Sequence, residues 1–281
     1  MSSWRLDVHG LGLMVRELSP ERQAGQRPVV CLHGWLDNGA AFLPVAEGRA
    51  GRWLALDQRG FGQSDHIGAG GYYHFGDLIP DLDALVHHLG QPVDLVGHSM
   101  GGTVAAMYAA IRPESVNRLV VAEGLGAIEW GTKSLIERLQ THLDGMRYRP
   151  SPVRPKDKAD AEARLLKRHA GLQPSHAALL VEHGITEDEG GLRWAFDPLH
   201  MVPGIYPFRE EWFGQFLAAI TAPTLVVWGA ESWYPEPIRV ARSGAIEGAR
   251  VETLPGGHML PYDSPEALGD LIAEHLGLGS D

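Results

Sequence analysis

The stretch Leu95-Val96-Gly97-His98-Ser99-Met100-Gly101-Gly102 constrains this chain more than any other. It reads as the end of an apolar strand, a sharp turn and a helix that starts at once, the order of a strand-to-helix elbow. In Gly97-x-Ser99-x-Gly101, a glycine two residues to either side lets the chain fold tightly enough to push the serine hydroxyl out at the sheet's edge. Ser99 is therefore the candidate nucleophile. The chain carries 35 glycines, so the pattern alone decides little and its surroundings must carry the assignment.

Those surroundings alternate strand and helix. Residues 4–18 hold two runs of alternating apolar and polar side chains around His9-Gly10, the pattern of an antiparallel hairpin at a sheet edge. Val29-Val30-Cys31-Leu32 is a continuous apolar run, as in a strand covered on both faces, and it ends at His33-Gly34-Trp35. A weakly helical segment at 39–47 follows, then a buried strand at 53–57 ending in a turn-rich loop to Asp65, and an amphipathic helix at 74–89. After the elbow, a helix of small residues from Thr103 stops at Arg112-Pro113, and a strand at 116–122 ends at Glu123-Gly124. The alternation resumes with a strand at 224–228, a helix near 236–243, a strand at 250–254, the loop Pro255-Gly256-Gly257-His258 and a final helix opened by Ser264-Pro265. Right-handed crossovers gather the loops at the strands' C-terminal ends on one rim, which carries Trp35, Ser99 and Glu123. The fold class is α/β, with a mostly parallel, doubly wound sheet.

Residues 125–212 interrupt this pattern with helical pieces at 133–143, 157–170 and 175–183, a charged proline-rich link at 149–158 and an aromatic-rich tail. No strand alternation is visible there. The segment is expected to lie over the rim as a helical cap, on a core domain made of residues 1–124 and 213–281.

Charge and composition narrow the partners. The 24 basic against 35 acidic residues give a net charge of −11, which disfavours nucleic acid and favours a small-molecule ligand. The N-terminus has no apolar core of signal-peptide length, and no run of about 18 apolar residues occurs elsewhere, so no membrane insertion and a cytoplasmic location are expected. The sole cysteine, Cys31, lies in an apolar run; it excludes an internal disulfide and reads as a small buried side chain. No metal-ligand cluster or nucleotide-binding loop is evident, so no cofactor and no metal are expected.

Three motifs in order make the chain resemble the α/β-hydrolase superfamily over nearly its whole length: His33-Gly34-Trp35, Gly97-His98-Ser99-Met100-Gly101-Gly102, and Gly256-Gly257-His258. His33-Gly34-Trp35-Leu36-Asp37-Asn38 and the elbow also resemble its serine-hydrolase-like subgroup. The resemblance implies an α/β-hydrolase fold, His258 as the base, and the backbone N–H groups of Trp35 and Met100 as the oxyanion hole. His33 and His98 read as structural hydrogen-bonding residues beside tight turns. Asp57 and Arg59 read as ties between loops beneath the site.

In many relatives the acid sits in a Gly-x-x-Asp pattern after the strand corresponding to 224–228. Here Gly229-Ala230-Glu231-Ser232 puts a serine at that position, which cannot carry the charge that stabilises an imidazolium. In other branches, notably the haloalkane dehalogenases, the acid follows the strand after the elbow helix, where this chain has Glu123. Glu123 is the candidate acid and Glu231, displaced by one residue, the alternative; Asp263 reads as part of the start of the last helix. Serine at the elbow rules out dehalogenase chemistry, because its attack on an sp3 carbon would leave a stable ether. The expected activity is carboxylesterase-like: hydrolysis of an ester of a small, largely apolar substrate through a Ser99 acyl-enzyme, with Trp35, Trp233 and Tyr234 shaping the cleft. The alternatives are carbon–carbon bond hydrolysis of a diketone-like substrate and a non-catalytic small-ligand binder on the same fold.

Overall fold

The computed structural model describes residues 2–19, 26–68, 70–128, 134–169 and 171–278. Strands β1 (Ser2–Val8) and β2 (Leu11–Glu17) form the expected antiparallel hairpin, turned by His9 and Gly10 in left-handed conformations. Next come β3 (Pro28–Leu32), the short α1 (Leu43–Ala46), β4 (Arg52–Asp57), α2 (Leu78–Leu89), β5 (Val93–His98), α3 (Met100–Ile111) and β6 (Val116–Ala122). They are followed by α4 (Leu135–Arg147), α5 (Lys158–Arg168), α6 (Pro174–Gly184), β7 (Ile185–Asp188), β8 (Gly191–Trp194) and α7 (Glu210–Ala219). Last are β9 (Thr224–Gly229), α8 (Glu236–Gly244), β10 (Arg250–Leu254), α9 (Leu260–Asp263) and α10 (Pro265–Leu276). Two expected helix ends, Lys133 and Ala170, lie outside the described residues.

Eight strands make one sheet in the order β1-β2-β4-β3-β5-β6-β9-β10. Only the pairings of β2, with β1 and with β4, are antiparallel; the rest are parallel. The fold class is therefore as expected, and the continuous apolar runs have their reason in the two covered faces. Alternate residues of one strand enter two different cores: Val30, Leu95, Val121 and Val226 pack with α2, α3 and α7, while Cys31, Val96, Val120 and Leu225 pack with α1, α9 and α10. Leu82 and Leu85 of α2, both fully buried, each contribute about 1.5–3 kcal/mol through that burial. Edge strand β10, by contrast, alternates partly buried and exposed residues.

Two expectations are corrected. Between β6 and β9 the chain is not free of strands: β7 and β8 form a small antiparallel sheet of their own. Its runs are four residues each and include Glu187, Asp188 and Arg193, too short and too charged to show an apolar alternation. Helix α3 begins at Met100 rather than Thr103, because Gly101 and Gly102, poor helix formers by propensity, are held in it by contact with the sheet. A Cβ at Gly101 would run into the carbonyl of Leu32. Among the described residues, no helix is long and apolar enough to cross a membrane.

Buried polar residues tie the rim loops together, as the sequence suggests. Asp57 accepts from Arg16 Nε at 2.8 Å and Nη2 at 2.6 Å, and from the backbone N–H groups of Gly39 at 2.7 Å and Gln63 at 2.8 Å. Arg59 grips Asp81 through Nε at 2.6 Å and Nη2 at 2.7 Å. His33 accepts from the Gln58 N–H at Nε2 (3.0 Å), so its Nδ1 carries the proton donated to the Gly34 carbonyl at 2.7 Å. His98 lies 2.8 Å through Nε2 from the carbonyl of His258. Burial lowers His33 to about 4 and His98 to about 3, so both are neutral scaffold.

Two outcomes follow. Asp57→Ala leaves Arg16 buried without its counter-ion and is expected to cost about 3–5 kcal/mol, read as a lowered urea midpoint. For His33, the unfolded chain takes up a proton from about pH 6.5 downward while the folded chain refuses it until about 4. Stability is thus present above that window and lost as pH falls through it. In His33→Gln, the stability–pH curve is expected to be shallower there by up to about 1.4 kcal/mol per pH unit.

Candidate active site

Ser99 occupies the turn between β5 and α3 at φ 52°, ψ −117°, a left-sided backbone that a non-glycine residue adopts only when its surroundings impose it. Here they do. The Ser99 N–H bonds to the Ala122 carbonyl at 3.0 Å and the Thr103 N–H to the Ser99 carbonyl at 3.1 Å. A Cβ at Gly97 would stand 2.5 Å from the Gly101 carbonyl oxygen, so helix and strand can approach this closely only with glycine at that position.

His258 arrives from the loop after β10. The Gly257 N–H is held by Asp263 Oδ2 at 2.9 Å, and Gly256 takes φ 108°. Asp263, in α9, therefore braces the loop that carries His258. The imidazole Nε2 lies 2.9 Å from Ser99 Oγ and Nδ1 lies 3.1 Å from Glu123 Oε2. Ser99, His258 and Glu123, chosen from the sequence, are brought within hydrogen-bonding distance of one another in that order.

Glu123 follows β6 with φ 50° and no solvent exposure. Its carboxylate is satisfied by two further donors, the Gly229 N–H at 2.7 Å and the Ser232 hydroxyl at 2.9 Å. Ser232, at the position where many relatives have the acid, binds the carboxylate that comes from the neighbouring strand. The Glu231 side chain is exposed, and among the described residues the carboxylate within hydrogen-bonding distance of His258 is that of Glu123. Sequence reasoning missed the role of Ser232, for which residue type gives no signal.

Met100 is the first residue of α3, so its N–H is one of the helix's unclaimed initial donors. Trp35 lies on the loop after β3. Its neighbour Gly34 lies against the site, since a Cβ there would be 3.3 Å from Ser99 Cβ. The Trp35 indole donates to the His200 carbonyl at 3.2 Å and is 52% exposed. Across the site Trp233, also 52% exposed, places its indole nitrogen 2.6 Å from His258 Nδ1, a contact with no precursor in the sequence reading. Tyr234 is buried, with its hydroxyl donating to the Gly126 carbonyl at 2.7 Å. Among the described residues, no group of three or more His, Cys, Asp or Glu side chains could hold a metal.

The segment between β6 and β9 packs on the rim. Leu172, Ala177 and Leu180 share a small core with Ala41 and Tyr262, and the Asp197 N–H bonds to the Gly60 carbonyl at 2.7 Å. Stacking of His200 between Phe61 at 3.8 Å and Tyr73 at 3.7 Å fastens its far end.

Known proteins are similar to the chain in sequence and in fold. The chain is 25% identical over 265 residues to a serine hydrolase-like protein of Danio rerio, covering 89% of this chain and 81% of that one. It is 28% identical over 258 residues to a mouse sn-1-specific diacylglycerol lipase, with 88% and 80% covered. A solved thioesterase domain from the curacin biosynthetic pathway superposes with a TM-score of 0.85 at 29% identity, covering 97% of this chain and 99% of that domain. The sequence model of the α/β-hydrolase fold matches residues 27–265, and with its elbow, sheet order and hydrogen-bonded serine in place the chain belongs to the α/β-hydrolase family.

Proposed function

We propose that this protein is a serine hydrolase that cleaves a carboxylic ester of a small, largely apolar substrate. The observation that carries the reading is the unbroken sequence of contacts from Ser99 Oγ through His258 to the buried Glu123. A serine hydroxyl is a poor nucleophile at neutral pH, and an imidazole 2.9 Å away can take its proton as the oxygen attacks an ester carbonyl. The negative charge that develops on the carbonyl oxygen is met by the N–H groups of Met100 and Trp35, fixed beforehand by the start of α3 and the loop after β3. Glu123 holds the imidazolium that forms. His258 then gives its proton to the departing alkoxide, leaving an ester on Ser99. Water attacks that ester as His258 removes its proton, His258 returns the proton to Ser99 Oγ as the acyl bond breaks, and the acid leaves with both residues restored.

Residues 125–212 act in this reading as a cap over a core of residues 1–124 and 213–281, closing the cleft from above. Half-exposed Trp35 and Trp233 offer two aromatic surfaces beside Ser99, which suits an apolar acyl or alcohol group. The net charge of −11 works against polyanionic substrates.

A fluorophosphonate probe is expected to label the native chain and not Ser99→Ala, whose kcat/KM on p-nitrophenyl esters falls by about 10³-fold or more. Native protein left unlabelled, with folding confirmed, would overturn the hydrolase reading in favour of a binder. Glu123→Gln is expected to lower kcat by about 10²–10⁴-fold while Glu231→Gln stays near native, and the reverse pattern would move the acid to Glu231. Across p-nitrophenyl esters and the matching thioesters, uncharged acyl groups are expected to exceed dicarboxylic ones in kcat/KM. A preference for the most charged acyl groups would refute the apolar cleft.

A further inference from the structure

Nδ1 of His258 has a single in-plane hydrogen-bonding position, and two groups of opposite kind face it. Glu123 Oε2, an acceptor, lies 3.1 Å away, and the Trp233 indole nitrogen, a donor only, lies 2.6 Å away. Nδ1 satisfies one of them at a time: with a proton it donates to Glu123, and bare it accepts from Trp233. The closer contact is with Trp233. Glu123 does not depend on His258, because the Gly229 N–H and the Ser232 hydroxyl each hold one of its oxygens.

The consequence falls on the other ring nitrogen. A neutral imidazole that accepts at Nδ1 carries its proton on Nε2, which then points at Ser99 Oγ, 2.9 Å away. In that tautomer Nε2 has no lone pair for the serine proton. When serine gives up its proton, both ring nitrogens bear hydrogen, and Nδ1–H would then face the indole N–H at a distance neither donor tolerates. The indole has to be elsewhere at that moment.

We propose that Trp233 is a positioning residue that holds His258 in its non-basic tautomer at rest, and that a substrate entering the cleft displaces the indole and releases Nδ1–H to Glu123. The inference rests on the reading of Ser99, His258 and Glu123 as the reacting groups. The loop that carries Trp233 is held on both sides of it. Ser232 before it is bound to Glu123, and Tyr234 after it is bound through its N–H to Ser232 Oγ at 3.2 Å and through its hydroxyl to Gly126. The motion that the proposal requires is therefore a turn of the half-exposed indole about its own side-chain bonds, out of its ring contacts with His258 at 4.6 Å and Tyr234 at 6.0 Å. A substrate able to occupy the indole's place switches the site on, and water alone does not.

The test uses the full chain labelled with 15N-histidine, in which long-range proton–nitrogen spectra above the histidine titration range report which nitrogen of His258 is protonated. A His258→Gln spectrum assigns the signal. The native chain is expected to show Nε2–H, and Trp233→Phe and Trp233→Leu, which both lack the donor, are expected to show Nδ1–H. Phosphonylation of native Ser99 is expected to move the proton to Nδ1. In Trp233→Phe, kcat/KM for p-nitrophenyl acetate is expected to rise about three- to tenfold. A native Nδ1–H tautomer, an unchanged tautomer in both variants, or a fall in kcat/KM for both overturns the proposal. The native spectrum alone decides it should the variants fail to fold. Labelling that persists in Ser99→Ala sinks the assignment of Ser99 instead, whatever tautomer His258 adopts.

Discussion

Two carboxylates with no contact with solvent, Asp57 and Glu123, stand at the C-terminal ends of parallel strands, and the rim is arranged around them. A buried carboxylate is tolerable only when donors saturate its oxygens, so wherever the chain places one it also dictates where donors must go. Asp57 draws in Arg16 from β2 and the backbone at Gly39 and Gln63, which fixes the loop that leaves β3 past Trp35. Glu123 draws in Gly229 and Ser232 from the end of β9, and with them the loop that carries Trp233. The positions of these two loops around Ser99 are thus solutions to a desolvation problem one layer below them.

Much of this was legible in the sequence because its signals are local. The elbow at Ser99 needs glycine at 97 and 101 for steric reasons that involve only its own strand, its own helix and the carbonyl of Leu32. The strands at 29–32 and 225–228 announced themselves as unbroken apolar runs, since each is covered on both faces. The choice of His258 and Glu123 rested on the resemblance, which pointed to the histidine after Gly256-Gly257 and to the carboxylate after the strand that follows the elbow helix. What remained hidden was whatever depends on two distant segments meeting. Ser232 reads as a lost acid until Glu123 is seen 2.9 Å from its hydroxyl. Asp263 reads as part of the start of the last helix, but it is the final residue of α9, ahead of the Ser264 that precedes α10, and its carboxylate grips the Gly257 N–H. The hairpin of β7 and β8 has too few apolar residues to be read by periodicity, and it is held partly from outside, as the Trp194 N–H bonds to the Val153 carbonyl at 3.1 Å.

The exchange of Ser232 and Glu123 shows how one physical requirement admits two sequence solutions. An imidazole beside a nucleophile needs negative charge near Nδ1, and the loops after β6 and after β9 both reach that point because the two strands are neighbours in the sheet. If the carboxylate comes from β9, the residue after β6 is free to be neutral. Here it comes from β6, and the vacated position after β9 carries a hydroxyl, a donor small enough to fit and able to saturate the buried charge. The exchange has a by-product. Glu123 keeps a donor on each oxygen from Gly229 and Ser232 whether or not His258 donates to it, so the proposed contact of Nδ1 with Trp233, the next residue of the same loop, strands no buried charge.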